Sequence, residues 1–150
     1  MQAIAAPETH IKKGDQIYDG VFDQSLDFKI EMTYDAAMQF IRRIGTYNNF
    51  EAETVIETLG IVDSLIPRRF YNEGNPNNGE RRYDVSVGRE GSPVLYIDYF
   101  EWLDSQPLDE ATMKAICGEM ELHGLADEAS YEIEEHSIRS RTVTFRFWWD

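Results

Sequence analysis

Glu132 and Glu134 alternate with Tyr131 and Ile133 in the run Tyr131-Glu132-Ile133-Glu134. In an extended strand, alternate side chains point to opposite faces, so the two carboxylates share one face about 6.5–7 Å apart. Successive phosphates along a nucleic-acid strand lie at a comparable spacing, roughly 6–7 Å, against an axial rise of 3.4 Å per strand. Asp127, Glu128 and Glu135 extend this acidic row at both ends. Asp109, Glu110, Glu119 and Glu121 add a helical flank. The bland alternative is a solvated acidic surface, which aids solubility. Arg139, Arg141 and Arg146 in the following strand offer cross-strand partners that would quench the row.

The rest of the chemistry-bearing residues are weaker candidates. Asp98, Glu101 and Asp104 are spaced three apart and would suit a divalent-metal hydrolase. Such a site needs basic residues for its substrate, and Lys114 is the one base between residues 98 and 135. His10, His123 and His136 are far apart in sequence, and the single Cys117 excludes a Cys-x-x-Cys pair, so no zinc site is expected. Cys117 falls on the apolar side of a predicted helix, where a thiol acts as a small hydrophobe. There is no Gly-x-Ser-x-Gly elbow, no phosphate-binding glycine loop and no cofactor signature. No catalytic residue, metal or cofactor is expected.

The charge distribution gives the acids their context. The chain has 150 residues and a formal net charge of −14. Residues 98–135 carry twelve acids and one base, a local charge of −11, whereas residues 136–150 are net positive. This disfavours direct binding to nucleic acid or to an anionic membrane surface, both of which require Lys and Arg. It favours a basic protein partner. No apolar run approaches the roughly 18 residues of a membrane span, and the first nine residues do not read as a signal peptide. The expected location is the cytoplasm of a bacterial or other host cell.

The elements that position these residues follow from periodicity. Residues 1–25 read as an irregular arm, with a short strand near Gln16–Val21. Residues 26–150 read as one α+β domain. Leu26–Met32 alternates as a half-buried strand. Thr33 can cap a helix over Asp35–Ile44, closed by Gly45. Asn49 can cap a second helix over Phe50–Leu59, interrupted at Gly60, after which the apolar Ile61-Val62 and Leu65-Ile66 offer a further turn before Pro67. Residues 71–80 are a turn-rich loop. Tyr83–Val87 and Val94–Trp102 form a hairpin across a loop at Gly88–Ser92. A third helix spans Leu108–His123, and residues 130–136 and 141–149 close the chain as a hairpin. The expected fold is an antiparallel sheet of about five strands with two to three helices on one face. A short echo between Thr33–Met38 and Leu108–Met113 raises a ferredoxin-like βαββαβ core with additions as one form of it.

Aromatic residues are dense in Val94–Trp102 and Phe145–Trp149. Both faces of the former strand are apolar, so Trp102 and Trp148 are candidate anchors for a partner or for a homodimer. The favoured reading is a non-enzymatic inhibitor of anti-CRISPR, anti-restriction or nuclease-immunity type, which occupies the basic groove of a nucleic-acid-binding machine. A small-molecule or nucleotide binding module with an aromatic pocket and the metal hydrolase are the alternatives.

Overall fold

The computed structural model describes residues 27–67, 83–104 and 107–150. The expected strand at Gln16–Val21, the arm over residues 1–25 and the loop at 71–80 lie outside the described residues. In chain order the elements are β1 (Phe28–Met32), α1 (Tyr34–Ile44), β2 (Thr46–Tyr47), β3 (Phe50–Glu51), α2 (Ala52–Leu65), β4 (Tyr83–Arg89), β5 (Pro93–Trp102), α3 (Glu110–Leu122), β6 (Glu128–Glu135) and β7 (Ser140–Trp148). Five strands form one sheet in the order β1-β4-β5-β7-β6, with every neighbouring pair antiparallel. The small β2–β3 hairpin stands apart from it. This is the expected α+β class.

The register explains why the helices cover one face. Directly paired residues share a face. Val85 pairs Ile97, which pairs Phe145; Val87 pairs Leu95, which pairs Phe147. These side chains are buried together with Ala37, Ile41 and Ile44 of α1, Val55, Leu59 and Val62 of α2, and Met113, Ile116 and Met120 of α3. Burying a large aliphatic or aromatic side chain contributes about 1.5–3 kcal/mol. Among the described residues, the sheet therefore has a helix-covered face and an outer face, on which none of α1, α2 and α3 packs.

Two helices begin where a side chain can satisfy an orphan N–H. Thr33 accepts from the Ala36 N–H at 3.2 Å, and Asp109 accepts from the Thr112 N–H at 2.7 Å. The echo between the two segments pairs Thr33 with Leu108, so the caps are one residue out of step with it. The topology differs from a ferredoxin-like core in its first half. A split β-α-β unit occurs once, where β7 lies between β5 and β6. In the first half two helices return the chain, so β1 and β4 are direct antiparallel neighbours and β1 is left at the sheet edge among the described residues.

α2 departs from its expected bounds at both ends. Asn49 lies in the turn of the β2–β3 hairpin, where Asn48 takes φ 50°. The cap is Glu51, whose carboxylate accepts from the Thr54 N–H at 2.9 Å. Gly60 does not interrupt the helix. A mid-helix glycine costs about 1 kcal/mol relative to alanine, but Val55, Leu59 and Val62 are buried at helical spacing, with the buried Ile66 at the C-cap, and outweigh it. Gly88 likewise sits inside β4 rather than in the hairpin loop, because β1 approaches so closely that a Cβ there would lie 2.2 Å from the Phe28 carbonyl oxygen. Gly91, at φ 77°, supplies the turn.

Candidate functional site: an acidic outer face with an open edge strand

The outer face can be read row by row from the register. One row runs Glu132–Thr144–Asp98–Asp84 across β6, β7, β5 and β4. The next holds Glu134, Thr142 and Phe100. On the other side lie Ser130, Arg146, Tyr96, Ser86 and Glu31, followed by Glu128, Trp148, Val94, Gly88 and Lys29. With Glu90 from the β4–β5 loop, the described residues of this face include seven carboxylates (Glu31, Asp84, Glu90, Asp98, Glu128, Glu132 and Glu134) against two cations, Lys29 and Arg146. Neighbouring strands lie about 4.8 Å apart, so acids recur across the sheet as well as along β6.

The three arginines near β6 are each engaged away from Glu132 and Glu134. Arg146 bonds Glu90 at 2.7 Å and Glu128 at 2.9 Å. Arg139 reaches Asp104 at 3.2 Å. Arg141 turns to the helix-covered face and pairs with Glu101. The residues opposite Glu132 and Glu134 are threonines, Thr144 and Thr142. Among the described residues neither glutamate has an ion pair, and both are exposed. The arginine quenching allowed by the sequence therefore falls on Glu128 and spares the pair at the heart of the row.

Toward the sheet centre the carboxylates crowd one another. Asp84 and Asp98 are directly opposite. Glu31, two residues diagonal from Asp84, has its carboxyl held above its ordinary 4.5, first by the charge of Asp84, then by burial and by Asp98, with Lys29 opposing. Lys29 lies 4.0 Å from Asp98 and over the Tyr96 ring at 4.2 Å. Thr144 donates to Asp98 at 2.7 Å. A carboxyl whose folded-state value is raised stabilises when protonated. Its contribution is present below 4.5 and lost as pH rises past the folded value. Glu31→Gln should therefore raise stability at pH 7 by about 0.2–0.5 kcal/mol, small because the group is largely exposed and screened. The gain should vanish near pH 3.5. Thermal melts of both proteins at the two pH values check this.

The aromatics occupy two ends of the face rather than one pocket. Phe100 and Trp102 pack edge to face at 5.3 Å, and the His136 ring stacks on Phe100 at 6.0 Å. At the other end Tyr96 meets Lys29, while Trp148 lies near Arg146 and donates its indole N–H to the Glu90 carbonyl at 2.8 Å. Trp102 and Trp148 are both half-buried on the outer face.

Several sequence-assigned residues fall elsewhere. Glu101 is fully buried on the helix-covered face, so it does not belong to a partner surface. Asp104 lies in the turn after β5, bonded to Arg139. Asp98, Glu101 and Asp104 do not converge: the first two point to opposite faces of β5, and no group of three metal-ligating side chains occurs among the described residues. Glu135 points to the opposite face from Glu132 and Glu134, since its pairing partner is Arg141. Asp127 precedes β6 and accepts from the Asp150 N–H at 2.8 Å. Asp109 and Glu110 begin α3, and Glu119 lies 3.4 Å from His123, all on the helix layer. Sequence reasoning does not find Glu31, Asp84 and Glu90. Alternation in β1 and β4 marks Glu31 and Asp84 as outward, but only the register brings them to Asp98, and only the fold brings Glu90, in the loop after β4, to Arg146.

The chain matches no protein-family model, no curated protein and no solved structure. What the face can do is therefore argued from its own chemistry.

Proposed function

We propose that the outer face docks on the Lys/Arg-lined groove of a nucleic-acid-binding protein and keeps nucleic acid out of it, without catalysing a reaction. The observation that carries this reading is the Glu132–Glu134 pair: two exposed carboxylates on an outermost strand that, among the described residues, have no ion pair, while Arg139, Arg141 and Arg146 are engaged elsewhere. Their spacing is comparable with that of successive phosphates, and Asp98 and Asp84 continue the charge across the sheet. Complementary potentials of this kind speed encounter and make it salt-sensitive. Trp102 and Trp148 flank the acids as amphipathic anchors.

The test compares the protein with its Glu132→Lys/Glu134→Lys variant, each immobilised and exposed to a bacterial lysate. The wild type should retain a basic protein that is released as salt rises. That protein, once purified, should lose its nucleic acid when the wild type is added. The variant should bind it at least about 100-fold more weakly, since close interfacial charge pairs couple by about 1.5–7 kcal/mol each. Both positions are exposed, so the variant's melting temperature should change little. Equal retention by the variant, or undisturbed nucleic-acid binding at saturating inhibitor, overturns the reading.

A further inference from the structure

β6 is an outermost strand of the sheet, paired on one side only by β7 among the described residues. Which of its backbone groups remain available follows from the turn. The His136 N–H donates to the Ser140 carbonyl at 3.0 Å, which makes that pair a hydrogen-bonded one. Hydrogen-bonded and non-bonded pairs alternate along an antiparallel ladder. Glu134, Glu132 and Ser130 thus turn their N–H and C=O groups toward β7, while Ile133, Tyr131 and Ala129 turn theirs outward. The strand runs eight residues, long enough to template another.

Each side of this edge has a distinct chemistry. On the outer face stand Glu132 and Glu134. On the helix-covered face a groove of about 400 Å³ runs between β6 and α3, lined by Lys114, Cys117, Gly118, Glu121, Ala129 and Tyr131 among others. Lys114, Cys117, Gly118 and Glu121 form one stripe of α3 at helical spacing. Gly118 leaves the middle of that stripe open, with nothing within 4 Å of where a Cβ would stand. Ile133, next along β6, is 43% exposed. A second copy of this strand is a poor occupant, since pairing β6 with itself would bring together two sets of Glu128, Glu132, Glu134 and Glu135, and like charges on paired strands destabilise.

We infer that the outer edge of β6 accepts an extended segment of a cationic partner as a sixth strand, its basic side chains beside Glu132 and Glu134 and its alternate apolar side chains in the groove against α3. Main-chain hydrogen bonds then provide affinity, and the two faces provide specificity. The glutamates repel a second copy of the strand and attract a basic one. The inference rests on the reading of Glu132 and Glu134 as a partner surface, and it adds the mode of engagement.

The probe is a synthetic seven-residue peptide, Lys-Val-Arg-Leu-Lys-Val-Arg, blocked at both ends. Two controls accompany it: the same peptide N-methylated at alternate residues, and one of equal composition with its apolar residues gathered together. Amide exchange followed by NMR should show the outward N–H groups of Tyr131 and Ile133 slowed at least 10-fold by the alternating peptide. Gly118→Phe, which fills the groove from an exposed and open position, should weaken binding at least 10-fold while the protein stays folded. The N-methylated peptide should bind at least 10-fold more weakly. Equal binding of all three peptides, with no new protection at Tyr131 and Ile133, overturns strand addition and leaves the acidic surface standing. No binding at millimolar peptide also overturns it. If the alternating peptide binds the Glu132→Lys/Glu134→Lys variant as tightly as the wild type, the acidic reading itself fails.

Discussion

Replacing Arg141 with methionine should destabilise the protein by about 3–5 kcal/mol, the range for stranding one member of a buried ion pair. Glu101 has no solvent exposure, and its side chain is held by the Arg141 guanidinium and by the Leu108 N–H at 2.9 Å. Arg141 also donates to the Leu108 carbonyl at 2.8 Å. The pair thus ties β5 and β7 to the segment that leads into α3. Without Arg141, the Glu101 charge stays in the interior with one backbone donor for company. The double variant Glu101→Leu/Arg141→Met removes both charges and should recover most of the loss, because an apolar pair of similar volume is often neutral or better there. Urea denaturation of the two single variants and the double gives the coupling directly. A loss under 1 kcal/mol for Arg141→Met would contradict the burial of this pair.

Trp149→Ala should cost a similar amount, about 3–5 kcal/mol, as expected for removing a buried aromatic. Trp149 has no exposed surface, packs edge to face on Phe50 at 5.0 Å and donates its indole N–H to the Gly124 carbonyl at 2.8 Å. Its neighbour Trp148 gives the contrast. Trp148 points to the outer face and is half-buried, so Trp148→Ala should cost roughly 1 kcal/mol, the central value for a point substitution. The two side chains are adjacent in sequence and similar in the isolated chain. Only the alternation of β7 separates a core residue from a surface one. Chemical denaturation of the two variants side by side measures that separation. Equal losses would mean that the face assignment of β7 is wrong.

Much of this fold was legible from local pattern. The alternation of Phe28–Met32 and Tyr131–Glu134, the Thr33 cap and the apolar spacing of α3 each predict an element that forms. Local pattern failed where tertiary burial set the outcome. Gly60 reads as an interruption, yet the buried Val62 helps hold the helix continuous as far as Leu65. Asn49 reads as a cap, yet the buried Phe50 belongs to a short hairpin. Side-chain partners were the least legible. Nothing in the sequence says whether Arg141 meets Glu132 or Glu101, because both faces of β7 carry an acid within reach and the choice follows from side-chain parity across two strands. Glu135 is excluded from the row by the sequence itself: it follows Glu134 directly, so the same alternation that aligns Glu132 and Glu134 turns it to the opposite face. The Glu31–Asp84–Asp98 group was hidden for another reason, since strands about 50 residues apart must first be placed in register.

Cys117 gives the molecule a built-in clock for access to the groove between α3 and β6. Burial, with help from Glu121, pushes its thiol up to about 11. At pH 8 about one thiol in a thousand is then ionised, against roughly a quarter for a free cysteine. A thiol reagent in solution will therefore react slowly with the folded protein and faster whenever α3 lifts from β6. The rate of that single reaction reads access to this part of the layer, with no label added and no residue changed. Since Cys117 also lines the groove beside the open edge, any strand seated there would slow the same clock.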